Sequence, residues 1–364
     1  MDYKKILTIS IAAYNVERYL RETLQSLISN ELFSDVEIII VDDGSRDKTA
    51  EIGREYEEQY PDYIRLVSKN NGGHGSTLNT GISLAQGKYY RFLDGDDWVD
   101  TVALIKAVNY LKESDSDLVC FNYSTVNEET GQKVLHKVDD VIYGKEYSMD
   151  QPGSLQFLAT QHLFVKTEVF KNNNIRIDEN CFYVDMEYSL LAVLFSSTIT
   201  YYDEDVYQYR IGLATQSMSK AGLIKNYKHR IRVVNCLAAA YRKANGVKKV
   251  AEEYVSSLVA ENVNNVINGF MLFPLNSKNV SGELWNFMND FKTKSPQIYE
   301  LAMSELSIPL IYIGDGYKHK KSLSRRNRYT LLQLTHGKAW KIFAWSLEVK
   351  QATKKLLQRV IHKI

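Results

Sequence analysis

The stretch YYRFLDGDDWVD, Tyr89 to Asp100, runs from an apolar, aromatic segment straight into Asp94, Asp96 and Asp97. Three carboxylates within four residues repel one another, and none is buried cheaply without a partner. Their oxygens are hard donors of the kind that hold Mg2+ or Mn2+, ions that commonly bind one or two carboxylates together with substrate phosphates. In extended backbone Asp94 and Asp96 point the same way, one suited to a ribose or a metal-bound water and the other to the metal. The plain alternative is a solvated acidic turn. The metal is favoured because the motif ends a buried strand.

Two other polar clusters stand near it. IIIVDDGSRDKT places Asp42 and Asp43 at a strand tip, with Gly44 and Ser45 in the following turn. A carboxylate there can accept from a base or ribose, and the next helix start offers N–H groups to phosphate; equally, Asp43 or Ser45 can simply shape the turn and cap the helix. NNGGHGSTLNTGI is a glycine-rich loop running into a helix. It lacks the Gly-Lys-Ser/Thr ending of a P-loop and the spacing of a dinucleotide fingerprint. His74 within it could contact a ligand, though a lone loop His is more often an exposed bystander.

The elements around these clusters alternate. ILTISIAAY, DVEIIIVDD, YIRLVS and KYYRFLD read as strands, and ERYLRETLQSLIS, KTAEIGREYEEQY and STLNTGISLA as helices. This series predicts an α/β fold with a mostly parallel sheet flanked by helices. Ligands bind such sheets outside the carboxyl ends of the strands, where AYN, DDGS and DGDD all fall. Mixed α/β continues to about Tyr209, and a C-terminal helical region follows. The expected divisions are 1–220, a helical 221–317 and a tail at 318–364.

With 45% hydrophobic and 24% charged residues, the composition is that of an ordinary soluble protein. Three scattered cysteines suggest neither a disulfide framework nor a metal knuckle, and the N-terminal apolar run is too short for a membrane span. A cytoplasmic location is the resulting expectation. The net charge of +1 hides an asymmetry: residues 318–364 carry thirteen Lys and Arg against Glu348 alone, a net of +12, so residues 1–317 carry −11. The tail sets Trp340, Phe343, Leu347, Leu356, Val360 and Ile361 at helical spacing among these cations. It suits the inner face of an anionic membrane, or else packing on the acidic body or a second subunit. No nucleic-acid module is recognisable, so no nucleic-acid partner is expected.

Four motifs in order, AAYNVERYLRETLQSL, IIIVDDGSRDKT, NNGGHGSTLNTGI and YYRFLDGDDWVD, resemble the family 2 glycosyltransferases of GT-A (Rossmann-like) fold. The likeness is close over residues 5–100 and weaker to about residue 219. It implies a nucleotide-sugar donor, usually a UDP-sugar, with Mn2+ or Mg2+. Tyr14 and the backbone near Ala12 would flank the base, Asp43 would bind the uracil edge, and Asn71 with Gly73 and its loop would border the nucleotide. Asp94 would contact ribose or metal, and Asp96 would ligate the metal. Two departures are Ala12, where the family commonly has Pro, and Leu78, where it has Arg.

Inverting transfer needs a carboxylate to take the acceptor proton. Asp185 in FYVDMEYSLLAVLF is the candidate. Similar enzymes have a Glu-Asp pair at this place, where this chain reads Val184-Asp185; helix capping is the alternative role. VYQYRIGLATQSMS looks like the family's closing segment, in which Arg210 would hold a phosphate, or serve a structural salt bridge, and residues 215–219 would form a lid. The resulting expectation is an inverting, metal-dependent transferase acting on a glycan or lipid-linked acceptor in surface polysaccharide synthesis. A catalytically silent nucleotide-binding subunit is the alternative. A homo-oligomer is compatible with either.

Overall fold

A computed structural model describes residues 3–151, 154–156, 158–212, 222, 225–243, 249–270 and 278–305. The chain divides into two compact units, Met1–Gly269 and Phe270–Ile364. The first is built on one ten-stranded sheet. Its strands are β1 (Lys5–Ala13), β2 (Val36–Asp42), β3 (Ile64–Ser68), β4 (Gly87–Asp94), β5 (Trp98–Val99), β6 (Leu118–Asn127), β7 (Lys133–His136), β8 (Glu146–Ser148), β9 (Leu163–Lys166) and β10 (Thr198–Ile211).

The order β3-β2-β1-β4-β9-β6-β10-β5 begins with four parallel strands. Then β9 runs antiparallel between β4 and β6, and the parallel pair β6 and β10 follows. This is the βαβ series read from the sequence, extended by a mixed second half. The helices of the first half are α1 (Leu20–Ser26), α2 (Thr49–Gln59), α3 (His74–Leu84) and α4 (Thr101–Glu113). They cover the sheet, so β1 is buried on both faces: Leu7, Ile9 and Ile11 join the main core, and Thr8 and Ser10 are buried as well. Each fully buried Leu or Ile there is worth about 1.5–3 kcal/mol. Asp100 starts α4 by accepting from Ala103 N at 2.9 Å, so the chain turns into a helix as soon as it leaves the acid cluster.

The second half supplies α5 (Thr167–Asn172), α6 (Asp185–Leu194), α7 (Tyr227–Lys243) and α8 (Lys249–Phe270). The first unit also takes in α7 and nearly all of α8. The reason is packing: Phe182 N donates to His229 Nδ1 of α7 at 3.1 Å, Arg232 Nε of α7 lies 2.5 Å from Asp178 Oδ2, and Leu158 N donates to the Tyr254 hydroxyl of α8 at 3.2 Å. Described residues of the second unit form α9 (Lys278–Lys294) and α10 (Pro296–Glu305). The expected lid at 215–219 and the tail at 318–364 lie outside the described residues. Among the described residues no helix is long and apolar enough to cross a membrane.

Candidate active site

Parallel strands β1, β2 and β4 end side by side, and their loops are stitched together. Ala13 O accepts from Asp43 N at 2.9 Å and Ala12 O from Gly95 N at 3.0 Å. Asn15, at φ 53°, accepts from Arg46 N at 2.8 Å and donates its own N–H to Ser45 Oγ at 3.0 Å. Ala12, Tyr14 and the DDGS and DGDD turns thus converge at one edge, with Tyr14 47% exposed.

Asp43, the residue expected to meet uracil, makes a dense set of contacts within the chain. Its side chain is only 2% exposed, and it is committed to the chain itself. Oδ1 accepts from Lys69 Nζ at 2.8 Å, Gly72 N at 2.9 Å and Ser76 Oγ at 3.1 Å, while Oδ2 accepts from Gly73 N at 2.7 Å. A buried carboxylate needs such donors, and these contacts make Asp43 the clamp of the glycine-rich loop. Asn71 adds to it through Nδ2 donating to Asp43 O at 2.9 Å. Gly73, at φ 80°, then turns the chain into α3, a conformation glycine adopts without strain.

The acid turn is braced from β10. Asp97, 1% exposed, accepts from the Tyr207 hydroxyl at 2.5 Å and from Arg210 N at 2.7 Å. Burial, followed by the charges of Asp94 and Asp96, pushes its carboxyl well above the ordinary range. Arg210 is likewise structural. Its Nε donates to Asp96 O at 2.8 Å, one terminal nitrogen pairs with Glu22 at 2.6 Å, and the other pairs with Glu128. The guanidinium lies between the rings of Tyr19 and Trp98, 4.8 and 4.5 Å from their centroids. Of the two roles expected of Arg210, the structural salt bridge is the one seen: three hydrogen-bonding partners and two rings hold the group, so it ties β10 to the acid turn.

Asp94 and Asp96 differ in what surrounds them. Burial disfavours the Asp94 carboxylate, but His74, Arg91 and the Tyr207 hydroxyl outweigh it and hold its pKa below the usual value. His74 Nε2 lies 3.2 Å from Asp94 Oδ1. Burial opposes the imidazolium, yet the contact with Asp94 and the charges of Asp94, Asp185 and Asp96 raise its pKa. Arg91 is buried below, 4.3 Å from the Tyr207 ring, with NH1 donating to Gln161 O at 2.9 Å. Beyond its own backbone N–H, the Asp96 carboxylate has no hydrogen-bond partner among the described residues, and burial with the charge of Asp94 pushes it up to about 6. A hard carboxylate without a side-chain partner, made basic by its neighbours, fits Mn2+ or Mg2+. Elsewhere Asp178, Glu187 and Cys236 bring ligand atoms within 4.8 Å of one another. Burial pushes Glu187 to about 7 and the Cys236 thiol to about 12, and Asp178 is already paired with Arg232.

Asp185 is the first residue of α6, the N-cap position falling to Val184, and its carboxylate accepts from the backbone N–H groups of Met186 and of Asp185 itself. Burial raises its pKa; His74 lowers it and Asp94 raises it, which places Asp185 within electrostatic reach of the acid turn. Tyr209 also feels Asp97, Asp94, Asp96 and Asp185, after burial, and its pKa is raised. Arg91, Tyr207 and Tyr209 were missed as site residues from sequence, and His74 was weighed only as a possible ligand contact. The alternation in YQYR, which sets Tyr207 and Tyr209 on one face of a strand, was the available signal for the two tyrosines.

Residues 8–173 match the model described as "Glycosyl transferase family 2". The matched segment is similar to that family and takes in the four motifs at the carboxyl edge of the sheet. The chain is 26% identical to the minor teichoic acid biosynthesis protein GgaB of Bacillus subtilis (strain 168), over 96% of this chain and 37% of the relative. It is 30% identical to the uncharacterized glycosyltransferase EpsJ of the same organism, over 56% and 61%. The chain thus spans less than two thirds of these relatives. The crystal structure of Staphylococcus aureus TarS 1-349 in complex with UDP-GlcNAc superposes with a TM-score of 0.62 at 21% identity, covering 82% of this chain and 84% of the other, which establishes the GT-A fold.

The raised Asp96 carboxyl has a consequence for stability. The folded state keeps that proton up to about pH 6, whereas the unfolded chain releases it near the ordinary value of 3.8. Folding stability contributed by Asp96 therefore falls as pH rises from about 4 to above 6. With divalent cations removed, Asp96→Asn should melt higher than the wild type by a few degrees at pH 7.5, and the gap should close toward pH 4. A gap that does not change with pH would contradict this electrostatic account.

Proposed function

We propose that the chain is an inverting, metal-dependent glycosyltransferase that moves a sugar from a nucleotide diphosphate donor, a UDP-sugar, to a hydroxyl of a glycan or lipid-linked acceptor in surface polysaccharide synthesis. The observation that carries the reading is an acid turn at the carboxyl edge of the sheet in which Asp96 has no side-chain partner and Asp94 feels both His74 and, from α6, Asp185. A relative named for minor teichoic acid biosynthesis and another named a poly(ribitol-phosphate) β-N-acetylglucosaminyltransferase support a surface-polymer acceptor.

Asp96, with Asp94, would hold Mn2+ or Mg2+, whose charge stabilises the diphosphate as it leaves. The loop shaped by Asp43 presents the backbone of Asn71–Gly73 to the nucleotide, and Tyr14 offers an exposed ring to the base. Asp185 removes the proton from the attacking hydroxyl. Burial makes it a stronger base than a solvated Asp. Tyr207 and Arg210 keep Asp97 fixed, which holds Asp96 in register.

A UDP-release assay over a panel of nucleotide sugars tests the reading. The wild type should release UDP from one donor in the presence of Mn2+ or Mg2+, Asp96→Asn should lose that release, and Asp185→Asn should transfer about 100- to 10,000-fold more slowly while still binding UDP. Near-normal transfer by Asp185→Asn would remove its role as base. UDP binding by the wild type without release from any donor would favour the silent subunit.

From its sequence, the basic tail at 318–364 extends this reading to a peripheral position on the inner face of the membrane, beside a lipid-linked acceptor. A chain ending at residue 317 should no longer sediment with anionic vesicles that retain the full chain. Equal sedimentation of both would end the membrane part of the proposal.

A further inference from the structure

Between the glycine-rich loop and Asp185 runs a segment held unusually firmly for a surface loop. Ile177 exchanges two hydrogen bonds with the Asn79 side chain, at 2.8 and 2.9 Å, and Asn180 N donates to Gly72 O at 2.6 Å. The approach is so close that a Cβ on Gly75 would stand 2.0 Å from Asp178 O, and one on Gly73 would stand 3.3 Å from Asn180. Residues 177–185 therefore start against the loop expected to hold the nucleotide and end at the expected base.

Within this segment Asn180 and Tyr183 adopt positive φ, 53° and 66°. For a bulky side chain such as Tyr183 that conformation is a costly outlier, and such outliers persist where the surroundings impose them, often at binding sites. Its effect is to present Phe182. That ring is 48% exposed, although its backbone N–H is fixed on His229 Nδ1 at 3.1 Å and its face lies on the His229 ring, with centroids 5.6 Å apart at 26°. Tyr183 is held in turn by the Arg230 guanidinium, 4.5 Å from its ring centroid. An apolar ring fixed in place yet left open to water has lost its freedom before any ligand arrives, so binding on it costs little further entropy.

We infer that Phe182 is the platform on which the acceptor's sugar ring rests, three residues from the carboxylate that takes its proton. The C–H face of a pyranose is apolar and complements the electron-rich face of an aromatic ring, while its hydroxyls stay free to face Asp185. This inference rests on the transferase reading above and adds to it that the accepting unit is a carbohydrate ring stacked at Phe182.

The probes are methyl β-glycosides of glucose, galactose and N-acetylglucosamine, observed by saturation-transfer NMR on the full chain with UDP, alongside calorimetric UDP titration of each variant. At least one glycoside should show saturation of its ring C–H protons. Phe182→Ala should weaken its binding roughly tenfold while UDP affinity stays within about twofold of the wild type, and Phe182→Tyr should restore glycoside binding. Glycoside binding that is unchanged in Phe182→Ala overturns the platform. So does UDP binding to the wild type without binding of any glycoside, and in that case the donor-site reading stands. Failure of the wild type to bind UDP sinks the donor-site reading and the platform with it.

Discussion

Repulsion among Asp94, Asp96 and Asp97 is the constraint on which the rest of the site depends. The turn keeps three acids within four residues because each has been given a different environment. Asp97 is sealed in by the Tyr207 hydroxyl and the Arg210 amide, Asp94 is held ionised beside His74 and above Arg91, and Asp96 is left without a side-chain partner. Removing one charge from the competition and neutralising the second concentrates the demand for a cation on the third. A turn with all three acids equally solvated would have no such preference.

The fold serves that division of labour. Four parallel strands bring the loops after β1, β2 and β4 to one edge, and β10 returns from the far half of the sheet to deliver Tyr207, Tyr209 and Arg210 to the same place. Arg210 closes the arrangement by joining Asp96 O, Glu22 and Glu128, which come from three separate parts of the chain. Asp43 does the equivalent work for the glycine-rich loop, folding residues 69–76 around its own carboxylate. Both residues act through backbone that they hold in place.

The strands and helices of the first hundred residues were legible because apolar runs and periodic helices are local properties of sequence, and the position of the acids at strand ends followed directly. The partners of those acids were not legible. Whether Arg210 meets a phosphate or a glutamate depends on Glu22 and Glu128, which lie 188 and 82 residues away. His74 read as a bystander because nothing local shows that α3 points its first residue at Asp94, 20 residues on in another element. Asp43 combined both difficulties: its place at a strand tip was plain, while its commitment to Gly72 and Gly73 depends on how the loop after β3 folds back. The end of the first unit at Gly269 was set by contacts of α7 and α8 with distant loops, which composition does not reveal.

The central claim is that this turn exists to hold a cation against a nucleotide diphosphate. Calorimetric titration of UDP into the wild type and Asp96→Asn, each with Mn2+ and with a chelator, addresses it most directly. The account predicts that Mn2+ tightens UDP binding to the wild type by roughly tenfold or more, about 1.4 kcal/mol, and leaves Asp96→Asn at the affinity measured with chelator. Equal UDP affinity with and without Mn2+ in the wild type, or a Mn2+ effect that survives in Asp96→Asn, would contradict it.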